Sequence, residues 1–279
     1  SLKFRFGLFE NPRLPDRERI ATVIAQGAHA DLNLEIARRS LVLLRNDGTL
    51  PLTPAARRIA VVGPLADDAQ TQLGDWAGSS GQVDWMPDGH PRAQITTILD
   101  GLRELSGGTV EHARGAGILD LTDDPAGVFP DGQPRPPIVA PQEPDAAEIA
   151  EAVALAERSD VVVAVVGDRI ELVGEGRSTA TLDLIGGQRA LLDALAATGT
   201  PLVVVLMASK PLILPESVRE ASVVWVANPG MQGGRAIAEL LLGEIEPAGR
   251  LPISFARHAG QQPTYYNQIR GQHGDRYAD

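Results

Sequence analysis

The sequence predicts an α/β fold in which a mostly parallel β-sheet is sandwiched between helices. Three short runs, at 160–166, 201–207 and 222–227, are apolar at nearly every position and lack the polar alternation of half-exposed strands. Strands that are apolar on both faces are typical of parallel sheets covered on both sides. Helical stretches lie between these runs, which favours the crossover connections that parallel strands require.

Length and composition limit the classes of protein that the chain represents. Its 279 residues, with 43% hydrophobic content, suffice for one large domain or for one domain with a linker. The formal net charge of -11 argues against nucleic acid as a partner, because an acidic surface repels phosphates. The lack of cysteine excludes disulfides, thiolate metal sites and cysteine nucleophiles. No apolar run approaches the ~20 residues that cross a bilayer, so we expect no membrane span.

The first part of the chain is predicted to be a connector followed by a helix. Pro12 and Pro15 interrupt residues 1–30, and each proline removes a backbone donor that an interior helix would need. The α/β domain itself is expected over 31–279. A helix is predicted over about 31–45, where apolar residues recur at intervals of three and four.

The middle of the chain alternates between predicted strands and helices. Residues 59–63 have the composition of a buried strand that ends in a glycine turn, and 109–113 have that of a second strand. A short helix is predicted over 96–105. The proline-rich stretch 121–144 is interpreted as a long surface loop.

The remaining helices complete the α/β pattern and show where a ligand site belongs. Asp145 is expected to cap a helix that extends to about 158, and further helices are predicted near 186–198 and 232–243. Ligands of such sheets bind at loops beyond the carboxyl ends of the strands. The candidate loops are 63–95, 167–185 and 227–234.

The loop that follows the strand at 160–166 carries two carboxylates, Glu171 and Glu175, four residues apart. Gly174 and Gly176 flank Glu175 and allow backbone conformations that other residues rarely adopt. A carboxylate on a strand-end loop that faces a cleft is what general acid/base catalysis requires. From the pattern alone, a solvated acidic loop is the alternative interpretation.

The loop after Gly63 contains two tryptophans, Trp76 and Trp85, among glycines. Aromatic faces pack against the C–H faces of sugar rings, so Trp76 is a candidate sugar platform. Alternatively, each tryptophan closes the edge of the core. A strand followed by glycine also begins nucleotide-binding turns, but neither of the phosphate-binding glycine fingerprints follows here.

Other catalytic patterns are missing from the sequence. The histidines are scattered without the spacing of a zinc site, so we expect no metal and no cofactor. The serine-hydrolase motif G-x-S-x-G is not present. The glycine-rich turn at 228–234 is interpreted either as an anion cradle or as a tight connection between a strand and a helix.

Several longer segments together resemble the second domain of glycoside hydrolase family 3. Residues 243–252 match the pattern G-[DE]-x-x-P-[AS]-G-[RK]-L-P, which is long and specific, and 229–234 match P-G-x-[EQ]-G-G. The resemblance covers about residues 5–279. Within the family, the chain is similar to the bacterial periplasmic β-glucosidases. The other segments that carry it are 37–46, 50–52, 59–67 and 160–167.

The resemblance implies an architecture and a reaction. A complete member has an N-terminal (β/α)8-type barrel followed by an α/β sandwich of about six strands. The barrel is expected outside this chain, with residues 1–30 as its connector. The implied reaction is retaining hydrolysis of terminal β-D-glucosyl residues, with β-xylosides and glucans as open alternatives. The implied location is periplasmic or secreted.

The resemblance also implies roles for individual residues. In the family the barrel supplies an Asp nucleophile, and the second domain supplies a Glu that acts as general acid/base. That Glu lies about eight residues past the glycine that ends the strand, which from Gly167 is Glu175. Glu171 is the competing candidate for this role. Together with Trp76 and Arg177, Glu171 is also an expected substrate contact.

Two considerations keep alternatives open. The chain departs from the family pattern at Thr179, where many relatives have Arg, and at Ile185, where many have Pro. The other class of function on the same scaffold is a non-catalytic carbohydrate-binding or interaction module. Sugar binding through Trp76 or Trp85 would favour that class.

Overall fold

Eight strands and seven α-helices form the part of the chain that the computed structural model describes, namely residues 1–24, 27–53, 56–77, 89–174 and 177–262. The strands are β1 (Val42–Arg45), β2 (Arg58–Val62), β3 (Thr109–Ala113), β4 (Leu119–Thr122), β5 (Ile138–Pro141), β6 (Val161–Gly167), β7 (Leu202–Met207) and β8 (Ser222–Trp225). The helices are α1 (Leu2–Arg5), α2 (Arg17–Ile24), α3 (Gly27–Ser40), α4 (Ile98–Leu105), α5 (Ala146–Glu157), α6 (Gln188–Ala197) and α7 (Gly233–Leu241).

Six of the strands form the central sheet, in the order β1-β8-β7-β6-β2-β3. Strands β3, β2, β6, β7 and β8 run parallel to one another, whereas the edge strand β1 pairs antiparallel with β8. Strands β4 and β5 form a separate two-stranded antiparallel sheet. The prediction of a mostly parallel, six-stranded sheet is confirmed.

Helices cover both faces of the central sheet. Every residue of β6 and β7 is buried, and successive residues of each strand face opposite sides. Val163 and Val205 pack with residues of α3, α4 and α7, whereas Val162 and Val204 pack with residues of α5 and α6. Each valine that is fully buried in this way stabilises the fold by about 1.5–3 kcal/mol. The predicted sandwich of helices around the sheet is confirmed.

The helix predicted over 31–45 is wrong in its last residues. Helix α3 ends at Ser40, and the following residues form β1, in which Val42 pairs with Trp225 and Leu43 with Val224. A short apolar run fits the periodicity of a buried helix as well as that of a strand. The backbone groups of β8 at the sheet edge need partners, and β1 provides them.

The long loop predicted over 121–144 is wrong at both of its ends. Strand β4 extends to Thr122 and β5 begins at Ile138, and the two strands pair with Leu121 opposite Val139. The prolines of this stretch predict irregular structure. However, proline is tolerated at the margin of an edge strand, where no ladder hydrogen bond is lost. The small sheet therefore could not be found from composition.

Capping side chains define the starts of two helices. Asp145 caps α5 as expected: its Oδ1 accepts hydrogen bonds from the N–H groups of Ala147 and Glu148, at 2.7 and 3.2 Å. Thr97 and Asp100 form a capping box at the start of α4. Among the helices of the described residues, none is long and apolar enough to cross a membrane.

A buried ion pair joins α3 to α7 on one face of the sheet. The Nε and Nη2 atoms of Arg38 donate to the two carboxylate oxygens of Glu239, at 2.6 and 2.7 Å, and Arg235 donates to the same carboxylate at 3.1 Å. The Glu239 side chain is 3% exposed. The Arg38 guanidinium, followed by Arg235, lowers the pKa of Glu239 despite the opposing effect of burial.

This ion pair predicts a pH-dependent difference between two arginine variants. Arg38→Ala should lower the free energy of unfolding at neutral pH by about 2–3 kcal/mol, because Glu239 keeps only one cationic partner. Arg39→Ala, on the same helix, should change it by less than about 0.5 kcal/mol, because the Arg39 side chain is 75% exposed. Urea unfolding of both variants measures these values.

The sign of the pH effect follows from the lowered pKa of Glu239. The stability that this carboxylate contributes is present above the ordinary pKa of Glu, and is lost as pH falls through the lowered pKa of the folded state. The stability difference between the wild type and Arg38→Ala should therefore shrink on acidification. A difference that stays constant across that range would contradict the assignment.

Candidate active site

Loops that follow four neighbouring strands meet at one edge of the central sheet. Strands β8, β7, β6 and β2 are adjacent and parallel, so their carboxyl ends lie along the same edge. The three loops identified from the sequence follow β2, β6 and β8. The loop after β7, which begins at Ala208, also lies there, although it is not among the loops predicted from the sequence.

The start of the loop after β6 is held rigidly by Gly167 and Gln188. Gly167 has a φ of +150°, and a Cβ at this position would lie 1.8 Å from the carbonyl oxygen of Met207, so only glycine fits. The buried side chain of Gln188 accepts a hydrogen bond from the Gly167 N–H at 2.8 Å. Its Nε2 donates to the carbonyl oxygens of Gly167 and Ile185, at 2.9 and 2.8 Å.

Asp168, the residue after Gly167, forms a buried ion pair with Lys210 of the loop after β7. The Lys210 Nζ lies 3.1 Å from Asp168 Oδ2, and the Asp168 side chain is 2% exposed. Burial raises the pKa of Asp168, and the ammonium of Lys210 offsets part of that rise. Lys210 also donates to the carbonyl oxygen of Leu172 and to Thr179 Oγ1, both at 3.2 Å.

Glu171, an expected substrate contact, is engaged within its own loop. It lies in the single 3-10 turn Ile170–Leu172, and its Oε1 accepts a hydrogen bond from Arg169 Nη2 at 2.6 Å. The Glu171 side chain is 14% exposed, and its Oε2 has no hydrogen-bond partner among the described residues. This carboxylate therefore helps to hold the loop after β6 in shape, and its contact with substrate stays a prediction.

Glu175, the predicted acid/base, lies outside the described residues, and so does Trp85. The described residues that flank this gap, Gly174 and Arg177, contact each other. Gly174 has a φ of +96°, and the half-buried Arg177 donates its backbone N–H to the carbonyl oxygen of Gly174 at 3.2 Å. The catalytic role of Glu175 and the substrate contact of Arg177 stay predictions.

Trp76 lies on the loop after β2 and presents much of its ring to solvent. The residue is 55% exposed and has a φ of +60°, a conformation that is rare for a bulky side chain. This exposure argues against the alternative that Trp76 closes the edge of the core. Strained backbone is enriched at functional sites, which fits a ligand contact at Trp76.

The loop that carries Trp76 touches the loop that carries Glu175. A Cβ at Gly174 would lie 1.9 Å from Oδ2 of Asp75, the residue before Trp76, so the two loops are in contact at this point. Asp75 Oδ1 is buried and has no hydrogen-bond partner among the described residues. Residues from two of the predicted loops are thus brought together at one point.

The turn at 228–234 packs against the loop after β2. Gln72 Nε2 donates to the carbonyl oxygen of Gly230 at 2.8 Å, and the Gly230 N–H donates back to the Gln72 carbonyl at 2.9 Å. The N–H of Gly234 donates to the Thr96 carbonyl at 3.0 Å, and the Gly233 N–H to that of Gly230. Because these N–H groups are used internally, the turn is a tight connection rather than an anion cradle.

Comparison with protein families gives a match over most of the chain. The family model described as "Glycosyl hydrolase family 3 C-terminal domain" matches residues 41–278. The match spans the central sheet and all four strand-end loops.

Curated relatives share sequence along nearly the whole chain. A periplasmic β-glucosidase of Salmonella typhimurium is 38% identical over 280 residues, which covers 96% of this chain and 34% of the relative. A β-xylosidase of Formosa agariphila is 31% identical over 272 residues, which covers 95% of this chain and 33% of the relative. The chain thus spans about a third of the length of these relatives.

Solved structures of two β-glucosidases are also similar to this chain along nearly its whole length. A β-glucosidase involved in saponin metabolism from intestinal bacteria is 59% identical, with a TM-score of 0.92, over 100% of this chain and 40% of that protein. A β-glucosidase of Listeria innocua in complex with isofagomine is 28% identical, with a TM-score of 0.74, over 97% of this chain and 33% of that protein.

The hydrogen bonds of Gln188 predict a large loss of stability when its amide is removed. Gln188→Met should lower the free energy of unfolding by about 2–4 kcal/mol, because backbone groups of Gly167 and Ile185 lose their partners inside the core. Gln133→Met is the matched control, since Gln133 is exposed, and it should change stability by less than about 0.5 kcal/mol. Urea unfolding measures both values, and equal midpoints for the two variants would contradict the role of Gln188.

Proposed function

Because this chain belongs to the glycosyl hydrolase family 3 C-terminal domain family, we propose that it is the α/β-sandwich domain of a retaining β-glycosidase and supplies the general acid/base, Glu175. The relatives support the activity, since those compared are named β-glucosidases and a β-xylosidase. The observation that carries the assignment of the site is the contact between Asp75 and Gly174. It brings the chain neighbours of Trp76 and of Glu175 together at the ligand-binding edge of the sheet.

The proposed reaction uses two carboxyl groups about 5–5.5 Å apart. An aspartate of the N-terminal barrel attacks the anomeric carbon of the sugar, while Glu175 donates its proton to the departing glycosidic oxygen. The covalent glycosyl-enzyme is then hydrolysed by a water molecule, from which the Glu175 carboxylate removes a proton. Glu175 thus ends the cycle protonated, as it began.

The chain's own residues prepare one wall of this site. Gln188 and the Asp168–Lys210 ion pair hold the start of the loop after β6. Trp76 is the proposed sugar platform, because its exposed ring lies on the adjoining loop. Arg177 is a proposed polar contact for the substrate.

The proposed partner of this domain is the N-terminal barrel that carries the nucleophile, with residues 1–30 as the connector and 31–279 as the α/β domain. Large apolar side chains support a covered surface in this region, because a soluble domain rarely leaves so many in water. They are exposed by at least 58% each: Leu2, Phe4, Phe9, Leu32 and Ile36.

The proposed substrate is a terminal β-D-glucosyl residue, because the Salmonella, Listeria and intestinal relatives are named β-glucosidases. The Formosa relative, named a β-xylosidase, keeps xylosides as the second candidate. The proposed location is the periplasm or the exterior of the cell, following the periplasmic relative.

A non-catalytic sugar-binding module is the second candidate function, and the exposure of Trp76 is the observation that favours it. The two functions differ in what the isolated chain does. A binding module would retain glucosides without its barrel, with affinity that Trp76→Ala abolishes. An acid/base domain should show no turnover of an aryl β-glucoside above the buffer rate, because the nucleophile is on the other domain.

The general acid/base role predicts a leaving-group dependence in the complete enzyme. Glu175→Ala should lower kcat/KM for cellobiose by about 10²–10⁴-fold, because its leaving group needs protonation. The kcat/KM for 2,4-dinitrophenyl β-glucoside should change far less, because dinitrophenolate leaves without a proton. Azide should raise kcat of the variant with the aryl substrate, because it attacks the glycosyl-enzyme without a general base.

Glu171→Ala is the matched control on the same loop. It should lower activity with both substrates to a similar extent, through loss of the contact with Arg169, and azide should not rescue it. If the leaving-group dependence and the azide rescue are found for Glu171→Ala and not for Glu175→Ala, the assignment of the acid/base is wrong.

A further inference from the structure

The ammonium group of Lys210 contacts the loop after β6 at three described points. They are the Asp168 carboxylate at 3.1 Å and the Leu172 carbonyl and Thr179 hydroxyl oxygens, each at 3.2 Å. Two of these contacts are hydrogen bonds that the ammonium donates, and the third is an ion pair with the buried carboxylate. The Lys210 side chain is 23% exposed, which limits competition from water.

The three contacts are distributed around Glu175 in the sequence. Asp168 is the first residue of the loop, Leu172 precedes Glu175 by three positions, and Thr179 follows it by four. One nitrogen atom therefore ties together the start of the loop and the chain on both sides of Glu175. Since the loop after β7 follows a fully buried strand, Lys210 is attached to a rigid support.

The hydroxyl of Thr179 is arranged to accept the hydrogen bond from Lys210. Thr179 Oγ1 donates its own hydrogen to the carbonyl oxygen of Thr181 at 3.0 Å, which leaves its lone pairs for Lys210. In this chain the residue provides an anchor for the loop.

We propose that Lys210 is a positioning residue for the general acid/base, and that it acts by fixing the chain on both sides of Glu175. The inference rests on the proposed function. General acid catalysis needs the carboxyl group within hydrogen-bond reach of the glycosidic oxygen. A displacement of about 1 Å costs up to about 10²-fold in rate. Loss of Lys210 should therefore act on the proton transfer rather than on sugar binding.

The test compares leaving groups in the complete enzyme, in which this chain is joined to its barrel. The main variant is Asp168→Asn/Lys210→Met, which removes both charges and so leaves no buried carboxylate without a cation. It should lower kcat/KM for methyl β-glucoside by about 10–100-fold. The kcat/KM for 2,4-dinitrophenyl β-glucoside should change by less than about 3-fold, because its leaving group needs no proton.

A milder variant keeps the test decisive if the double variant does not fold. Thr179→Val removes one anchor, retains the side-chain shape and leaves the Asp168–Lys210 ion pair intact. It should lower kcat/KM for methyl β-glucoside by about 3–10-fold and leave the dinitrophenyl substrate unaffected. Thr198→Val is the matched control, because Thr198 is a half-buried threonine that hydrogen-bonds the Leu195 carbonyl at the end of α6, and both substrates should react as with wild type.

The outcomes separate the positioning role from the proposed function. Equal falls for both substrates, or no fall for either, in the folded Lys210 and Thr179 variants would overturn the positioning role, provided that Glu175→Ala shows the leaving-group dependence. If Glu175→Ala lacks that dependence, the proposed function itself fails, and the positioning role fails with it.

Discussion

Burial of the two central strands on both faces is the constraint on which the rest of the structure depends. Every residue of β6 and β7 is shielded from water, by α3, α4 and α7 on one side and by α5 and α6 on the other. Backbone groups inside such a layer must find partners, and the strands find them in a ladder that is parallel here. Their carboxyl ends then lie together, and the loops that leave them are brought to one place.

At their carboxyl ends, neighbouring strands approach each other closely, and these contacts fix where the following loops begin. A Cβ at Gly63 would lie 2.1 Å from the Val165 carbonyl oxygen, and one at Gly167 would lie 1.8 Å from that of Met207. Neighbouring strands therefore end in contacts that admit only glycine, and Gln188 adds hydrogen bonds to the same point. The loop after β6 leaves the sheet from a fixed position, as a catalytic group requires.

Charges on this loop are arranged to hold its shape. Burial raises the pKa of the Asp168 carboxylate, and the ammonium of Lys210 offsets part of that rise. The same ammonium donates hydrogen bonds to two further oxygens of the loop. Glu171 is paired with Arg169. These contacts commit two carboxylates of the loop to structure, and the proposed acid/base is a third, Glu175. In the function proposed above, the nucleophile belongs to the barrel and this edge is one wall of the site.

By itself, the sequence determined the features that depend on local composition. Apolar runs predicted β2, β6, β7 and β8, and Asp145 marked the start of α5, because two-sided burial and helix capping are visible in neighbouring residues. The tertiary structure alone decided the pairing of β1 with β8, the exposure of Trp76, and the contacts of Lys210 with residues 31 to 42 positions away. Each of these depends on which strands are neighbours, and strand order is set by packing between distant parts of the chain rather than by any local pattern.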